Sequence, residues 1–429
     1  MALTGRAALL ALAGVVPVAL APGWATLLGW ALLVLLLVAA DVLLAGSPRA
    51  LRLRRDGTST VRLGESVRAG IVVDNTGRRR VRGLLRDGWP PSAGDAVALD
   101  RRGHRIDVPA GQQRRVETTL RPTRRGDRRA ERVTVRSVGP LGLAARQLSL
   151  PAPGVVRVLP AFGSRRHLPA KLARLRELDG QSSVRVRGQG TEFDSLRDYV
   201  DGDDVRSIDW RASARRTAVV VRTWRPERDR RVLLVLDTSR TAAARVGDAP
   251  RLDAAMDAAL LLAALAARAG DRVDLLAMDR RVRGRVEGVG RTGLLPALVA
   301  TLAPLEADWG AIVATVLRRL SRRALVVLLT TVDSPSLEEG LLPVLPLLTA
   351  RHQVVVASVS DPQVAALARG RGDAYAVYGA AAAERAVLDR TALTAELGRL
   401  GVEVVEGTPD ELPPRLADRY LALKAAGRL

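Results

Sequence analysis

Two groups of side chains in this 429-residue chain could do chemistry. The first is Asp237-Thr238-Ser239-Arg240-Thr241, at the end of the apolar run Val232-Leu233-Leu234-Val235-Leu236. Alternate residues there supply one carboxylate and two hydroxyls where a strand would end, and hard oxygen donors of this kind suit Mg²⁺, which keeps part of its water shell. The second is acidic: Glu192, Asp194, Asp198, Asp203, Asp204 and Asp209 stand among Arg197, Arg206, Arg211 and Arg215, with Phe193, Leu196, Tyr199, Ile208 and Trp210 interleaved. Carboxylates alternating with guanidiniums around aromatic anchors predict a structural ion-pair network, a docking surface, or a carboxylate site for a divalent ion. The adjacent pair Asp203 and Asp204 would point to opposite faces of a strand, so joint metal binding would need a loop.

Other chemistries are excluded by type and spacing. The chain has no cysteine, so it has no disulfide, thiolate metal site or cysteine nucleophile. His104, His167 and His352 lie far apart, without metal-ligand spacing. No Gly-x-x-x-x-Gly-Lys-Ser/Thr loop or Gly-x-Ser-x-Gly elbow occurs, which argues against a P-loop ATPase and a serine hydrolase. A formal charge of +22 would draw polyanions, but the basic residues are nearly all arginine, Lys171 and Lys424 being the lysines, which reads as codon bias. With aromatics at 3%, stacking platforms for single-stranded nucleic acid are not expected, and nucleic acid is an unlikely partner.

Four segments must position these residues. Residues 1–46 read as a transmembrane helical hairpin broken at Ala21-Pro22-Gly23. Its second arm, Trp24 to Ala45, would be roughly 33 Å long and so spans a hydrocarbon core of about 30 Å. The first, Ala7 to Leu20 with Pro17, would reach only about 21 Å. A signal peptide ending at Ala19-Leu20-Ala21 is the rival reading, opposed by Pro22 directly after that site. Arg49, Arg52, Arg54 and Arg55 favour keeping the main body in the cytoplasm, and Asp41 is expected as a solvated interfacial carboxylate.

Residues 50–160 carry short alternating runs, among them Ser66 to Asp74, Arg79 to Leu85, Arg114 to Leu120, Arg132 to Val138 and Leu143 to Leu150. With turn residues between them they predict a β-sandwich, whose arginine-rich stretches Arg78 to Arg80 and Arg124 to Arg129 read as solvated loops or a surface for anionic lipid. Residues 161–230 form a connecting segment. Residues 231–429 alternate apolar runs with helical patterns, the mark of a doubly wound α/β sheet: a long helix from about Leu252 to Ala267, an edge hairpin of Arg272 to Met278 and Val282 to Val286, and core strands at Ala324 to Thr331 and Gln353 to Val359.

The stretch from Gly188-Gln189-Gly190-Thr191-Glu192-Phe193-Asp194 through Gly202-Asp203-Asp204-Val205-Arg206-Ser207-Ile208-Asp209-Trp210-Arg211-Ala212-Ser213-Ala214-Arg215 resembles the signature of the Domain of Unknown Function 58 family, a bacterial group often found beside MoxR-type AAA+ ATPases. The resemblance implies two N-terminal spans and a von Willebrand factor type A-like domain. It also implies a MoxR-type ATPase as protein partner, in the assembly or remodelling of other complexes. The Asp-x-Ser-x-Thr run is similar to the metal-ion-dependent adhesion site of type A domains. Carried over by position, Asp237, Ser239 and Thr241 match its first loop, and Asp333 after Thr330-Thr331 matches its last carboxylate, giving a candidate Mg²⁺ set. The chain departs from the pattern at the middle threonine: the loop before the expected helix Ile312 to Leu320 reads Ala307-Asp308-Trp309-Gly310, and Thr292 lies earlier. Capping of the following helix by Asp237 and its hydroxyls explains the same residues without a metal.

The sequence therefore predicts a membrane-anchored, non-enzymatic scaffold or adaptor. Its partner-binding candidates are Glu192, Arg197, Asp203, Asp204, Arg206, Asp209, Trp210 and Arg215. The alternative is a metal-dependent phosphoester hydrolase using the acidic cluster at 194–209. A basic module binding lipid or nucleic acid is a third, marked by salt-sensitive affinity.

Overall fold

A computed structural model describes residues 2–57, 59–94, 103–185, 192–215, 218–225, 230–239, 241–247, 249–278, 282–289, 291–302, 320, 323–332, 337 and 341–429. The chain divides into two compact units, Met1–Leu159 and Pro160–Leu429.

In the first unit the apolar N-terminus forms helices Gly5–Ala13, Val15–Leu20 and Trp24–Leu44. The helical stretch starting at Trp24 is long and apolar enough to cross a membrane, whereas Gly5–Leu20 is shorter. Gly14 breaks the first arm. Its N–H bonds Ala11 in a tightened turn, and the Leu10 carbonyl left over accepts the Trp30 indole N–H at 3.3 Å. Where water is absent such a carbonyl must find a protein donor. Glycine is required there, because a Cβ would fall 2.3 Å from the Trp30 ring.

Both ends of this apolar pair are tied to the same sheet. Ala2–Leu3 pairs with Ala144 and Ala145, and the Thr4 hydroxyl donates to the Gly142 carbonyl at 2.6 Å. At the far end Asp41 is fully buried and accepts the backbone N–H groups of Leu141, Leu143 and Ala144 at 2.7, 2.7 and 2.8 Å. The expected solvated interfacial carboxylate is thereby corrected: the turn after Val138 folds over Asp41 and replaces its water. Gly139 permits this, since a Cβ would stand 2.2 Å from the carboxylate.

The rest of the unit is two sheets. One runs Ala2–Leu3, Ala144–Leu159, Gly126–Val138, Val81–Asp87, His104–Val108, with Ser59–Arg62 added parallel to Ala144–Leu159. The other is Leu51–Arg55, Val67–Asn75, Gln113–Leu120. Alternation puts Ile71, Val73 and Val116 of the three-stranded sheet against Val81, Leu85, Ile106, Val133 and Val135 of the larger one in a single core. Arg55 and Asp87 form a buried ion pair between the sheets. Asp87 also accepts the Trp89 indole N–H at 2.8 Å, and the Arg55 guanidinium lies 5.0 Å from the Trp89 ring centre. A charge pair this deep persists because every group in it has a partner.

The second unit is built on six strands, numbered within this sheet in chain order: β1 Arg231–Asp237, β2 Arg272–Met278, β3 Val282–Val286, β4 Leu325–Leu329, β5 Gln353–Val359 and β6 Glu403–Gly407. Their order is β3-β2-β1-β4-β5-β6, parallel except for β3, which is antiparallel to β2. The central strands are apolar on both faces because helices cover both. One face meets Arg251–Arg268 and Leu412–Ala425; the other packs Leu341, Leu345, Leu348, Leu393 and Leu397 into a core with Leu233, Val326 and Val354. Asp271 fastens the last helix, accepting the Tyr420 hydroxyl and, at 2.9 Å, the Lys424 ammonium.

Candidate functional site

The first candidate lies at the carboxyl ends of β1 and β4, the edge where wound sheets place ligands. Asp237 is 1% exposed, at the end of β1. Its Oδ1 accepts the Ser239 amide at 2.6 Å, and its Oδ2 accepts the Thr330 hydroxyl, from just beyond β4, at 2.9 Å. The hydroxyls of Ser239 and Thr241 are 2.6 Å apart, and Ser239 Oγ accepts the Ala242 amide at 3.4 Å. The three oxygen-bearing side chains expected from the sequence are thus brought together, with both carboxylate oxygens engaged by protein donors. The adjoining cavity, lined by Thr330, Thr331, Arg251 and Leu252, has a volume of about 10 Å³, room for one water.

That donor set does not by itself fit Mg²⁺. One described carboxylate, already accepting two hydrogen bonds beside neutral hydroxyls, leaves most of a divalent charge uncompensated in a buried position. No group of three or more histidine, cysteine, aspartate or glutamate side chains that could hold a metal occurs among the described residues. Asp333, the Thr292 side chain and the expected helix from Ile312 lie outside or almost wholly outside the described residues. Thr330 was not singled out from the sequence. Its place after an apolar run was legible, but its pairing with Asp237 depends on β1 and β4 being sheet neighbours.

The second candidate is a hairpin joining Glu192–Asp198 to Val220–Arg225 in antiparallel register. Residues between the strands form a compact knot in which the acidic groups have local duties. Asp203 takes both guanidinium arms of Arg197, at 2.8 and 2.6 Å, and the Val200 amide at 3.0 Å. Those bonds, the Arg197 bond foremost, hold its carboxyl below the usual carboxylate range. Asp204 caps the turn Val205–Ser207 through the Arg206 amide. Asp209 caps Trp210–Ser213 through the Ala212 amide at 3.0 Å and accepts Arg222 at 2.8 Å, the amide bond being the larger cause of its lowered pKa. Capping and pairing satisfy acceptors that an exposed turn would otherwise leave to water.

The knot turns outward apolar groups and charges of both signs, Asp198, Asp201 and Asp204 among them. Trp210 is 66% exposed, Val200, Val205 and Val219 are exposed with it, and Arg206, Arg211 and Arg215 are exposed on the same segment. Asp203, Asp204, Asp209 and Arg197 therefore build the segment, while Arg206, Trp210 and Arg215 remain available to a partner. The Glu192 side chain lies outside the described residues.

A family model described as "Protein of unknown function DUF58" matches residues 195–394. That range runs from inside the hairpin strand through β1 to β5 of the wound sheet into the helix Ala374–Arg399, and leaves out β6 and the first unit. Uncharacterized proteins of Mycobacterium tuberculosis and Mycobacterium bovis are each 28% identical over 195 residues, covering 43% of this chain and 60% of the relative. The match thus spans less than two thirds of those relatives' length. Among solved structures, a PapD-like domain of human CEP192 is similar over 26% of this chain and 87% of its own, at 17% identity and TM-score 0.19. An exo-β-N-acetylglucosaminidase of Vibrio harveyi is similar over 83% and 75%, at 10% identity and TM-score 0.21. Likenesses this slight carry no argument.

Proposed function

We propose that this protein is a membrane-anchored adaptor whose hairpin knot between Glu192 and Arg225 docks a partner protein. The observation that carries the reading is the solvent-facing Trp210, with Val200, Val205, Arg206, Arg211 and Arg215 exposed on the same segment and Asp203 and Asp209 held by internal bonds. A large exposed aromatic beside guanidiniums has the composition of an interface hot spot. Arg211, directly beside Trp210, and Arg206 suit a partner surface that offers carboxylates next to an apolar patch. A MoxR-type ATPase is the partner the family resemblance implies.

The same reading takes the two-sheet unit as a β-sandwich and the wound sheet, with its single antiparallel strand next to the edge of the parallel set, as a type A-like domain. Asp237 then ties the loop after β1 to β4 rather than holding an ion. The anchor is the apolar pair of helices, and the arginines following it favour a body on the cytoplasmic side. A phosphoester hydrolase has less support, because Asp203, Asp204 and Asp209 spend their oxygens on local amides and arginines and do not converge on a reacting atom.

The test is binding of the full-length protein, in detergent, to a purified MoxR-type ATPase. Trp210→Ala and Arg211→Glu should each weaken binding at least tenfold without changing the melting temperature. Binding unaltered in both variants refutes the docking surface, and metal-dependent phosphodiesterase turnover lost in Asp203→Ala would establish the hydrolase instead.

A further inference from the structure

A second surface, in the first unit and independent of the adaptor reading, has the build of a ligand site. On the outward face of the larger sheet lies a cavity of about 490 Å³ bordered by Arg86, Arg129, Arg132, Trp89, Thr134 and Ser149. The volume falls in the range of small-molecule sites and exceeds what a bare oxyanion needs.

Sheet register assembles it. Arg86 pairs with Thr134, and Thr134 with Ser149, so the three form one row across neighbouring strands. Alternation sends Leu85, Val133 and Val135 into the core and this row outward. The hydroxyls of Thr134 and Ser149 are 2.9 Å apart. A bulge between Ala130 and Arg132 breaks the pairing beside the row, and bulges of this kind re-aim side chains, here those of Arg129, Glu131 and Arg132. The floor is rigid: Trp89 is held by Asp87, whose charge Arg55 neutralises. The Gly88 amide donates to the Arg132 carbonyl at 3.1 Å, so close that a Cβ on Gly88 would stand 2.5 Å from that oxygen.

Charge decides what such a cavity takes. Arg55, Arg80, Arg115 and Arg157 of the same unit each hold a carboxylate. Arg86, Arg129 and Arg132 have no ion-pair partner within 4 Å among the described residues; the other charged groups lining the cavity are Glu131 and Asp87, and Asp87 is already neutralised by Arg55. Three unpaired guanidinium forks beside two hydroxyls match the acceptor-rich geometry of a phosphoryl group, and the Trp89–Pro90 wall offers apolar surface for an organic remainder.

We propose that this cavity binds the phosphate of an organic phosphate ester, with Arg86 and Arg132 as its principal ligands and Thr134 and Ser149 as hydroxyl donors. The phosphate could belong to a soluble molecule or to a lipid headgroup, and two probes separate these sources.

Full-length protein in neutral detergent is titrated by calorimetry with pyrophosphate, and separately with short-chain phosphatidylglycerol. The expected result is saturable binding whose dissociation constant rises about tenfold or more in Arg86→Gln and in Arg132→Gln. Arg115→Gln, in which the lost arginine was already paired with Asp56, leaves it unchanged. Both cavity arginines are exposed and unpaired, so the variants should melt with the wild-type protein. A pyrophosphate response assigns a soluble ligand, and a phosphatidylglycerol response alone, lost in the same variants, assigns a headgroup. Absence of binding to either probe, or binding indifferent to both cavity substitutions, overturns the proposal.

Discussion

Replacing Asp41 by alanine removes the acceptor for three backbone amides at once. Each charge-assisted hydrogen bond of this kind is worth about 1.5–3 kcal/mol, so simple addition would give roughly 5–9 kcal/mol. The sum is an overestimate, because the three donors share one carboxylate and act as a unit. Desolvating that carboxylate also costs several kcal/mol, which the substitution recovers. Set against this, the amides of Leu141, Leu143 and Ala144 are left in a buried turn without partners. The net expectation is a local destabilisation of about 3–5 kcal/mol, the usual cost of breaking a buried charged contact by removing one side.

Hydrogen exchange measured on the full-length protein in detergent reads this directly. Protection of residues 139–145 should fall by roughly 150- to 4,000-fold, since about 1.4 kcal/mol corresponds to tenfold. Asp41→Asn, which keeps one carbonyl acceptor, should lose less protection than Asp41→Ala. Protection in Asp41→Ala within threefold of wild type would refute the view that this carboxylate organises the turn.

The buried pair between the two sheets makes a parallel case: Asp87→Ala should cost about 3–5 kcal/mol by urea unfolding, while Arg55→Met with Asp87→Leu should recover most of it, and equal loss in both would refute the reading. His352 has both ring nitrogens buried without a hydrogen-bond partner, and burial, then the charge of Arg351, holds its pKa below the ordinary 6.5. The folded form therefore binds a proton less readily than the unfolded chain; its contribution is intact above about pH 6.5 and is lost as pH falls toward the depressed value. His352→Leu should flatten the stability profile below pH 6.5, and an unchanged profile counts against it. Asp237→Ala should lower stability by about 2–3 kcal/mol through the stranded Ser239 amide and Thr330 hydroxyl, and millimolar Mg²⁺ should leave the wild-type melting temperature in place. An Mg²⁺-dependent rise absent from the variant would restore the metal reading.

Local pattern alone placed much of this architecture. The apolar run Val232 to Leu236, the helix at Arg251–Arg268, the hairpin of Arg272–Met278 and Val282–Val286, and the strand Gln353–Val359 stand where hydrophobic period and turn residues put them. Periodicity reports burial, and these elements are defined by what they bury. Leu51–Arg55 and His104–Val108 escaped notice because charged residues alternate through them, and Glu403–Gly407 because its edge position leaves it half-buried. The Asp-x-Ser-x-Thr cluster was visible because its members are neighbours in sequence.

What pattern could not supply was partnership across the chain. That Asp41 meets a turn about a hundred residues away, that Thr330 closes on Asp237, and that Arg86, Thr134 and Ser149 share one row all depend on strand order and register. A carboxylate is solvated, capped or paired according to the donors that surround it, and those donors arrive only when distant segments pack. The sequence by itself thus determined which elements form and which charges exist; the tertiary structure decided which of those charges are spent internally and which still face outward.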